Sequence, residues 1–228
     1  MLLEALTTYA WVGALVFARL GAVFMLAPGL GEPFVSTRIR LTAALLMTAA
    51  IAPAIADKVP SAPATVGLTA LLVVFEVLTG LMMGMVSRIF ISALNVAGQV
   101  AGLQSGLGFA QQFDPSAGQT GSALATFLSL LGITLIMVTG LHQLMIAAAA
   151  ASYERFPPGT LPPIGDSAEF AVQATSEAFT MGIQIAAPVI VFAMIFNLSL
   201  GLVNRLVPQI QVFFVAMPAS ILLSLVVF

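Results

Sequence analysis

Residues 65–103 read TVGLTALLVVFEVLTGLMMGMVSRIFISALNVAGQVAGL, with no proline and with charge confined to Glu76 and Arg88. As a single helix rising about 1.5 Å per residue, this run exceeds about 50 Å, whereas the hydrocarbon core of a bilayer is about 30 Å thick. It must therefore tilt, break or leave the membrane. Glu76 and Arg88 are costly in lipid, so they are expected to face protein, water or an interface. A stretch this apolar and this long fits an all-α integral membrane protein, and the flanking sequence agrees.

Five further apolar runs occupy residues 9–27, 41–56, 122–151, 170–203 and 209–228, giving about six helical segments in one domain. About 20 residues span a bilayer, so 41–56 is marginal. Across all 228 residues, 60% are apolar and only 7% are charged, with a mean hydropathy of +1.11. Soluble domains carry about 25% charged residues to wet their surface. Prolines and glycines mark the connections: Pro28, Gly29, Gly31 and Pro33 after the first run, Pro53 and Pro60 after the second. The loop 155–170, RFPPGTLPPIGDSAEF, leads into a helix that Asp166 or Ser167 is expected to cap. Pro188 and Pro218 lie inside apolar runs and predict kinks. Glu4 stands where a secretory signal would be basic, so the N-terminal run is expected to be retained as the first helix. Loop charges are sparse, and their bias places the N-terminus outside the cytoplasm.

Composition also excludes function classes. Seven basic and nine acidic residues give a net charge of −2, without a basic run to neutralise a phosphate backbone, so nucleic acid is not an expected partner. Cysteine is absent and His142 is the only histidine, which removes thiolate and paired-histidine metal sites and any histidine relay. Ser105-Gly106 has the outline of a nucleophile turn, but Leu103 replaces the glycine that such a turn requires and no partner base is evident. No catalytic, metal or cofactor residues are assigned, and the chain is expected not to be an enzyme.

Residues 95–121, NVAGQVAGLQSGLGFAQQFDPSAGQTG, carry the strongest local signal. Gly98, Gly102 and Gly106 recur every fourth residue, a spacing that clears one helical face for close backbone approach. Gly80 and Gly84 repeat the spacing beside Met82, Met83 and Met85, an adaptable apolar surface suited to core or subunit contact. Gln104, Gln111, Gln112, Asp114 and Gln119 then crowd between two apolar runs around Phe109 and Phe113. Irregular polar backbone at membrane depth must be buried in protein or line an aqueous cavity; otherwise this is a surface loop. Arg19 and Arg205 sit in or near apolar runs, where each snorkels to the headgroups or ties helices or subunits together.

Three segments together resemble the FliR family of flagellar type III export-gate proteins and its virulence counterparts (FliR/SpaR/YscT). They are 17–53, FARLGAVFMLAPGLGEPFVSTRIRLTAALLMTAAIAP; 102–119, GLQSGLGFAQQFDPSAGQ; and 204–218, NRLVPQIQVFFVAMP. The resemblance implies a core gate subunit in the bacterial inner membrane at the flagellar basal body. It implies hetero-oligomerisation with FliP and FliQ, with FlhB and FlhA as neighbours, and passage of unfolded flagellar proteins. It further implies a FliP-like part followed by a FliQ-like part, built as helical hairpins rather than straight spans and closed by a plug. Carried onto this chain, the plug is Gly106, Gly108, Phe109, Gln112, Phe113, Asp114, Pro115 and Gly118, with the phenylalanines as apolar stoppers. Gly80, Gly84, Gly98 and Gly102 serve helix packing, and Arg19, Arg88, Arg205 and Pro208 are structural or intersubunit contacts. Family members usually continue beyond the position matching Phe228, so the C-terminus is expected to be short. The virulence-system counterpart, with the same mechanism and different cargo, a secondary transporter using Glu76, Arg88 and Asp114, and an intramembrane hydrolase using Ser105 are the rival readings.

Overall fold

The computed structural model describes residues 2–107, 123–206 and 212–228. Among them the regular structure is helical: α1 (Leu2–Leu26), α2 (Thr37–Ile55), a 3₁₀ turn (Ala56–Lys58), α3 (Val66–Gln104), α4 (Ala123–Val138), α5 (Leu141–Arg155), α6 (Ile164–Leu206) and α7 (Val212–Val227). Four of these, α1, α2 with its 3₁₀ turn, α3 and α6, are long and apolar enough to cross a bilayer. The pair α4 and α5 adds a fifth if it forms one broken span. The chain is an all-α integral membrane protein. Many of its large apolar side chains, Leu46, Val66, Leu198 and Leu206 among them, lie exposed, an outside suited to lipid or neighbouring subunits and not to water.

The run 65–103 does not break. It forms the 39-residue α3, about 58 Å long at about 1.5 Å per residue, and the 43-residue α6 reaches about 64 Å. The run 122–151, in contrast, is not one helix. It divides at Thr139 and Gly140, where α4 and α5 meet at 72°. Gly140 adopts φ +76°, a left-handed conformation that a side chain disfavours, so the chain turns there without steric penalty. The hydroxyl of Thr139 donates to the Leu135 carbonyl at 2.7 Å, and Nδ1 of His142 lies 3.5 Å from the Ile136 carbonyl, a contact local to this turn.

Two helix ends differ from their expected positions. Pro53 lies inside α2, which ends only at Ile55; so near the C-terminus, proline removes a single N–H bond and the helix survives it. The long helix α6 begins at Ile164, with Asp166 in its first turn. Ser167 does not cap it, because its hydroxyl donates to the Pro163 carbonyl at 2.7 Å, whereas a capping side chain must accept from the backbone. Ser36 does cap α2, accepting from the Ile39 N–H at 3.4 Å.

The chain divides into two compact units, Met1–Ile89 with Ile133–Ala174, and Phe90–Gly132 with Thr175–Phe228. In the first, α1 is the central helix: half of its apolar window is buried, against 17% for α2, α3 or α6. Val12, Val16, Leu20, Val23, Phe24 and Ala27 place it against Ala44, Ile55, Ala149 and Tyr153. Helix α3 crosses α1 at Gly80 and Gly84; a Cβ at Gly80 would overlap the Arg19 carbonyl, and one at Gly84 would sit 2.7 Å from the Leu26 Cβ. At the end of α1, Arg88 meets Glu32 at 3.3 Å, and Arg40 donates to the Val35 carbonyl at 2.9 Å. Because Arg88 is 44% exposed, Arg88→Ala should change unfolding stability by only about 0–1 kcal/mol, as denaturant titration in detergent will register.

The second unit has its own small-residue core. Ala101, Ala186 and Val189 are buried against Val100, Leu124 and Ile190. Gly98 lies where α3 and α4 touch backbone to backbone, since a Cβ there would overlap the Cα of Ala125. Gly182 brings α6 onto α3 in the same way, 2.9 Å from the Ala93 carbonyl to the position of a Cβ. Close approach of this kind replaces the hydrophobic effect, which is weak between helices already surrounded by hydrocarbon.

Candidate functional site

Two constellations stand apart from ordinary helix packing. The first centres on Arg19 of α1, which is 1% exposed and paired with Glu76 of α3, also 1% exposed. Arg19 Nε donates to Glu76 Oε2 at 2.7 Å and Nη2 to Oε1 at 3.1 Å, a bidentate fork. Nη2 also donates to the Phe156 carbonyl at 3.0 Å, and Nη1 to the Ser152 hydroxyl at 3.1 Å. The Ser152 hydroxyl donates its own hydrogen bond to the Ala149 carbonyl at 2.7 Å, which leaves its lone pairs to accept from Arg19. The Tyr153 ring lies 4.1 Å below the guanidinium carbon, a cation–π contact. Glu76 is completed by the Gly159 N–H at 2.8 Å.

This cluster satisfies both charges where neither water nor lipid can. It joins α1, α3, α5 and the loop after α5, segments far apart in sequence. In the sequence Arg19 and Glu76 are separate groups that each need a partner, and nothing local pairs them. A signal was present, since each is the only charged residue in its half of an apolar run. Ser152, Tyr153 and Gly159 gave no such signal, as their part rests on backbone position. Glu76 and Arg88, which a transporter reading assigns to one site, are bound to different partners, Arg19 and Glu32.

The second constellation is the end of α3. Gly98 and Gly102 are buried, while Gly106 serves differently, closing the helix at φ +84° with its N–H donating to the Leu103 carbonyl at 3.3 Å. Ser105 is buried, and its hydroxyl donates to the Gly102 carbonyl at 3.0 Å. It also accepts from the Leu107 N–H at 3.4 Å, so the oxygen that a hydrolase would need as nucleophile works as a helix terminator. Ser220 of α7 donates to the Ser105 carbonyl at 3.2 Å, tying α7 to the end of α3. A cavity of about 250 Å³ adjoins this point, lined by Gln104, Gly106, Phe192, Phe196, Asn197 and Ser220; Phe192 and Phe196 stack with centroids 5.5 Å apart.

The remaining residues expected in the plug, Gly108, Phe109, Gln112, Phe113, Asp114, Pro115 and Gly118, lie outside the described residues, as do Gln111, Gln119 and Pro208. Arg205 stands exposed in the last turn of α6. Met82, Met83 and Met85 line a groove of about 990 Å³ in the first unit together with Met145, Leu144 and Phe170. No group of three or more histidine, aspartate or glutamate side chains gathers among the described residues as a metal site would require.

Residues 10–228 match the family described as bacterial export proteins, family 1. The flagellar biosynthetic protein FliR of Caulobacter vibrioides is 48% identical over 215 residues, covering 94% of this chain and 86% of that one. Its namesake in Escherichia coli is 31% identical over 221 residues, 96% of this chain and 82% of that one. The Bacillus subtilis protein of the same name is 29% identical over 93% of this chain and 82% of its own. With nearly its whole length matched, and with glycine-packed membrane helices ending in the Ser105–Gly106 turn, this chain belongs to the FliR family of bacterial export proteins.

Proposed function

We propose that this chain is a non-catalytic core subunit of a flagellar type III export gate in the bacterial inner membrane. It assembles with FliP and FliQ beside FlhB and FlhA, and the segment 106–121 plugs a conduit for unfolded flagellar proteins. The observation that carries this reading is the similarity to flagellar FliR proteins along nearly the full chain, which also favours the flagellar assignment over the virulence counterpart. The geometry at the start of that segment supports it: Gly106 ends α3 at a turn held by Ser105 and Ser220, which gives the segment a fixed root. Rigid walls with a displaceable apolar closure are the arrangement that blocks ions until a substrate enters.

The test is deletion of residues 106–121 in cells that co-express the chain with FliP and FliQ, read as ion leak across the membrane. A leak is expected only with the partners present. A verified assembly that stays tight would demote the segment to packing. A leak from the lone chain would instead favour a self-contained channel or transporter.

A further inference from the structure

The groove of about 990 Å³ belongs to neither constellation described above, and all of its lining comes from the first unit. Its walls include Met82, Met83 and Met85 of α3 and Leu144 and Met145 of α5, with Phe170 from α6. Methionine walls are deformable and fit a flexible apolar occupant. Two serines also line the groove, yet the Ser87 hydroxyl donates to the Met83 carbonyl at 3.3 Å and the Ser167 hydroxyl to the Pro163 carbonyl at 2.7 Å. Both protons are thus used within their own segments. The charged side chains in the lining are Arg155, in the last turn of α5, and Asp166, in the first turn of α6.

Arg155 and Asp166 are opposite in charge, exposed, and border the same groove, but among the described residues neither side chain forms an ion pair or a hydrogen bond. Both stand on anchored backbone. Phe156, next to Arg155, has its carbonyl held by buried Arg19 at 3.0 Å, and the Ser167 bond to Pro163 ties down the turn that carries Asp166. The helix dipoles favour each charge where it stands, but they do not account for an apolar groove bordered by both. Two anchored opposite charges that do not meet leave room for a molecule bearing the complementary pair. The depth agrees: at about 1.5 Å per residue, Leu144 lies about 16 Å along α5 from Arg155, close to one leaflet of a hydrocarbon core about 30 Å thick. An occupant with a cation and an anion at one end and a flexible apolar body one leaflet long is a zwitterionic phospholipid.

We propose that this groove binds a phospholipid of the phosphatidylethanolamine class, with Arg155 donating to its phosphate, Asp166 accepting from its primary ammonium, and an acyl chain lying along the methionines. A guanidinium fork suits a phosphate. An anionic lipid such as phosphatidylglycerol would meet the same arginine but would be repelled by Asp166. The site stands independently of the segment 106–121 and of what the gate passes.

The test uses the full chain in its membrane assembly, reconstituted in vesicles of equal parts phosphatidylethanolamine and phosphatidylglycerol. One lipid or the other carries a photoactivatable acyl chain, and the cross-linked residues are mapped by mass spectrometry. Residues 82–87 and 144–148 are expected to label at least about threefold more from phosphatidylethanolamine, a modest ratio because exposed ion pairs are individually weak. Asp166→Asn should abolish the preference and keep the labelling. Arg155→Gln should lower labelling by both lipids at least about threefold. Ala148 lines the groove and is exposed, so Ala148→Trp should fill the groove and remove the labelling without disturbing the core. Equal labelling by the two lipids in the unaltered chain would overturn the proposal, as would a preference that survives Asp166→Asn or labelling unchanged by Arg155→Gln. So would a groove left unlabelled while lipid labels other parts of the assembly, the result that a neighbouring subunit's helix seated there would give.

Discussion

Arg19→Ala is expected to destabilise the protein by about 3–5 kcal/mol, the largest effect of any single substitution considered. The reason is the Glu76 carboxylate that it strands. With Arg19 gone, Glu76 keeps only the Gly159 N–H, and a charge 1% exposed has no other compensation. Glu76→Ala should be comparably harmful, leaving a guanidinium with only Ser152, the Phe156 carbonyl and the Tyr153 ring. Replacing both by apolar residues, as in Arg19→Met with Glu76→Leu, should recover much of the loss, since removing a buried pair together avoids the stranded charge. Arg19→Lys should fall between, because an ammonium cannot reproduce the fork. Denaturant titration of the detergent-solubilised protein, with abundance in the membrane as a second measure, reads all four. A double variant as unstable as either single one would show that the pair works through geometry and not through charge compensation.

Gly98→Leu is the second large effect, expected to destabilise by about 1–3 kcal/mol or to prevent assembly. The neighbours at Gly98 are backbone atoms of Ala125 and Leu124, which cannot rotate aside as a side chain would. Helices α3 and α4 would have to separate, and with them the Ala101, Ala186 and Val189 contacts would loosen. Gly201→Ala is the contrast, with nothing near the added methyl group. There the better helix propensity of alanine should leave stability equal or raise it by about 0.5–1 kcal/mol. Thermal unfolding in one detergent distinguishes the two; equal Tm values would mean that the α3–α4 crossing is looser than its geometry.

The two substitutions bear on function differently. The buried charge cluster ties α1, α3 and α5 together within the first unit. The Gly98 crossing lies two helical turns before the root of the segment 106–121, on the helix that carries it. A loosened crossing should therefore increase ion leak in the assembled complex even where the protein remains folded, whereas a weakened cluster should lower the amount of complex without making it leaky.

Much of the fold was legible in the residues because lipid is a demanding solvent. Charge scarcity and long apolar runs specify helices, as a backbone in hydrocarbon must satisfy its own hydrogen bonds. Repeated glycines at four-residue spacing marked the faces of α3, which at Gly80 and Gly84 meets α1 and at Gly98 meets α4. The resemblance over the segments 17–53, 102–119 and 204–218 carried the family, and the match over residues 10–228 agrees with it.

Local sequence could not say which long run stays continuous. Residues 65–103 hold together as α3 although they outrun the bilayer and contain several glycines, while 122–151 divides at Gly140: Gly80, Gly84 and Gly98 are pressed against neighbouring helices, whereas Gly140 has open space around it and takes the left-handed turn. Nor could it join Arg19 to Glu76, Ser152, Phe156 and Gly159. Those contacts bridge as many as 137 residues and depend on where the backbone of the loop after α5 comes to rest. Solvent preference is written residue by residue and so determined the class of protein; the partners of its buried charges depend on three-dimensional proximity, which only the packed helices supply.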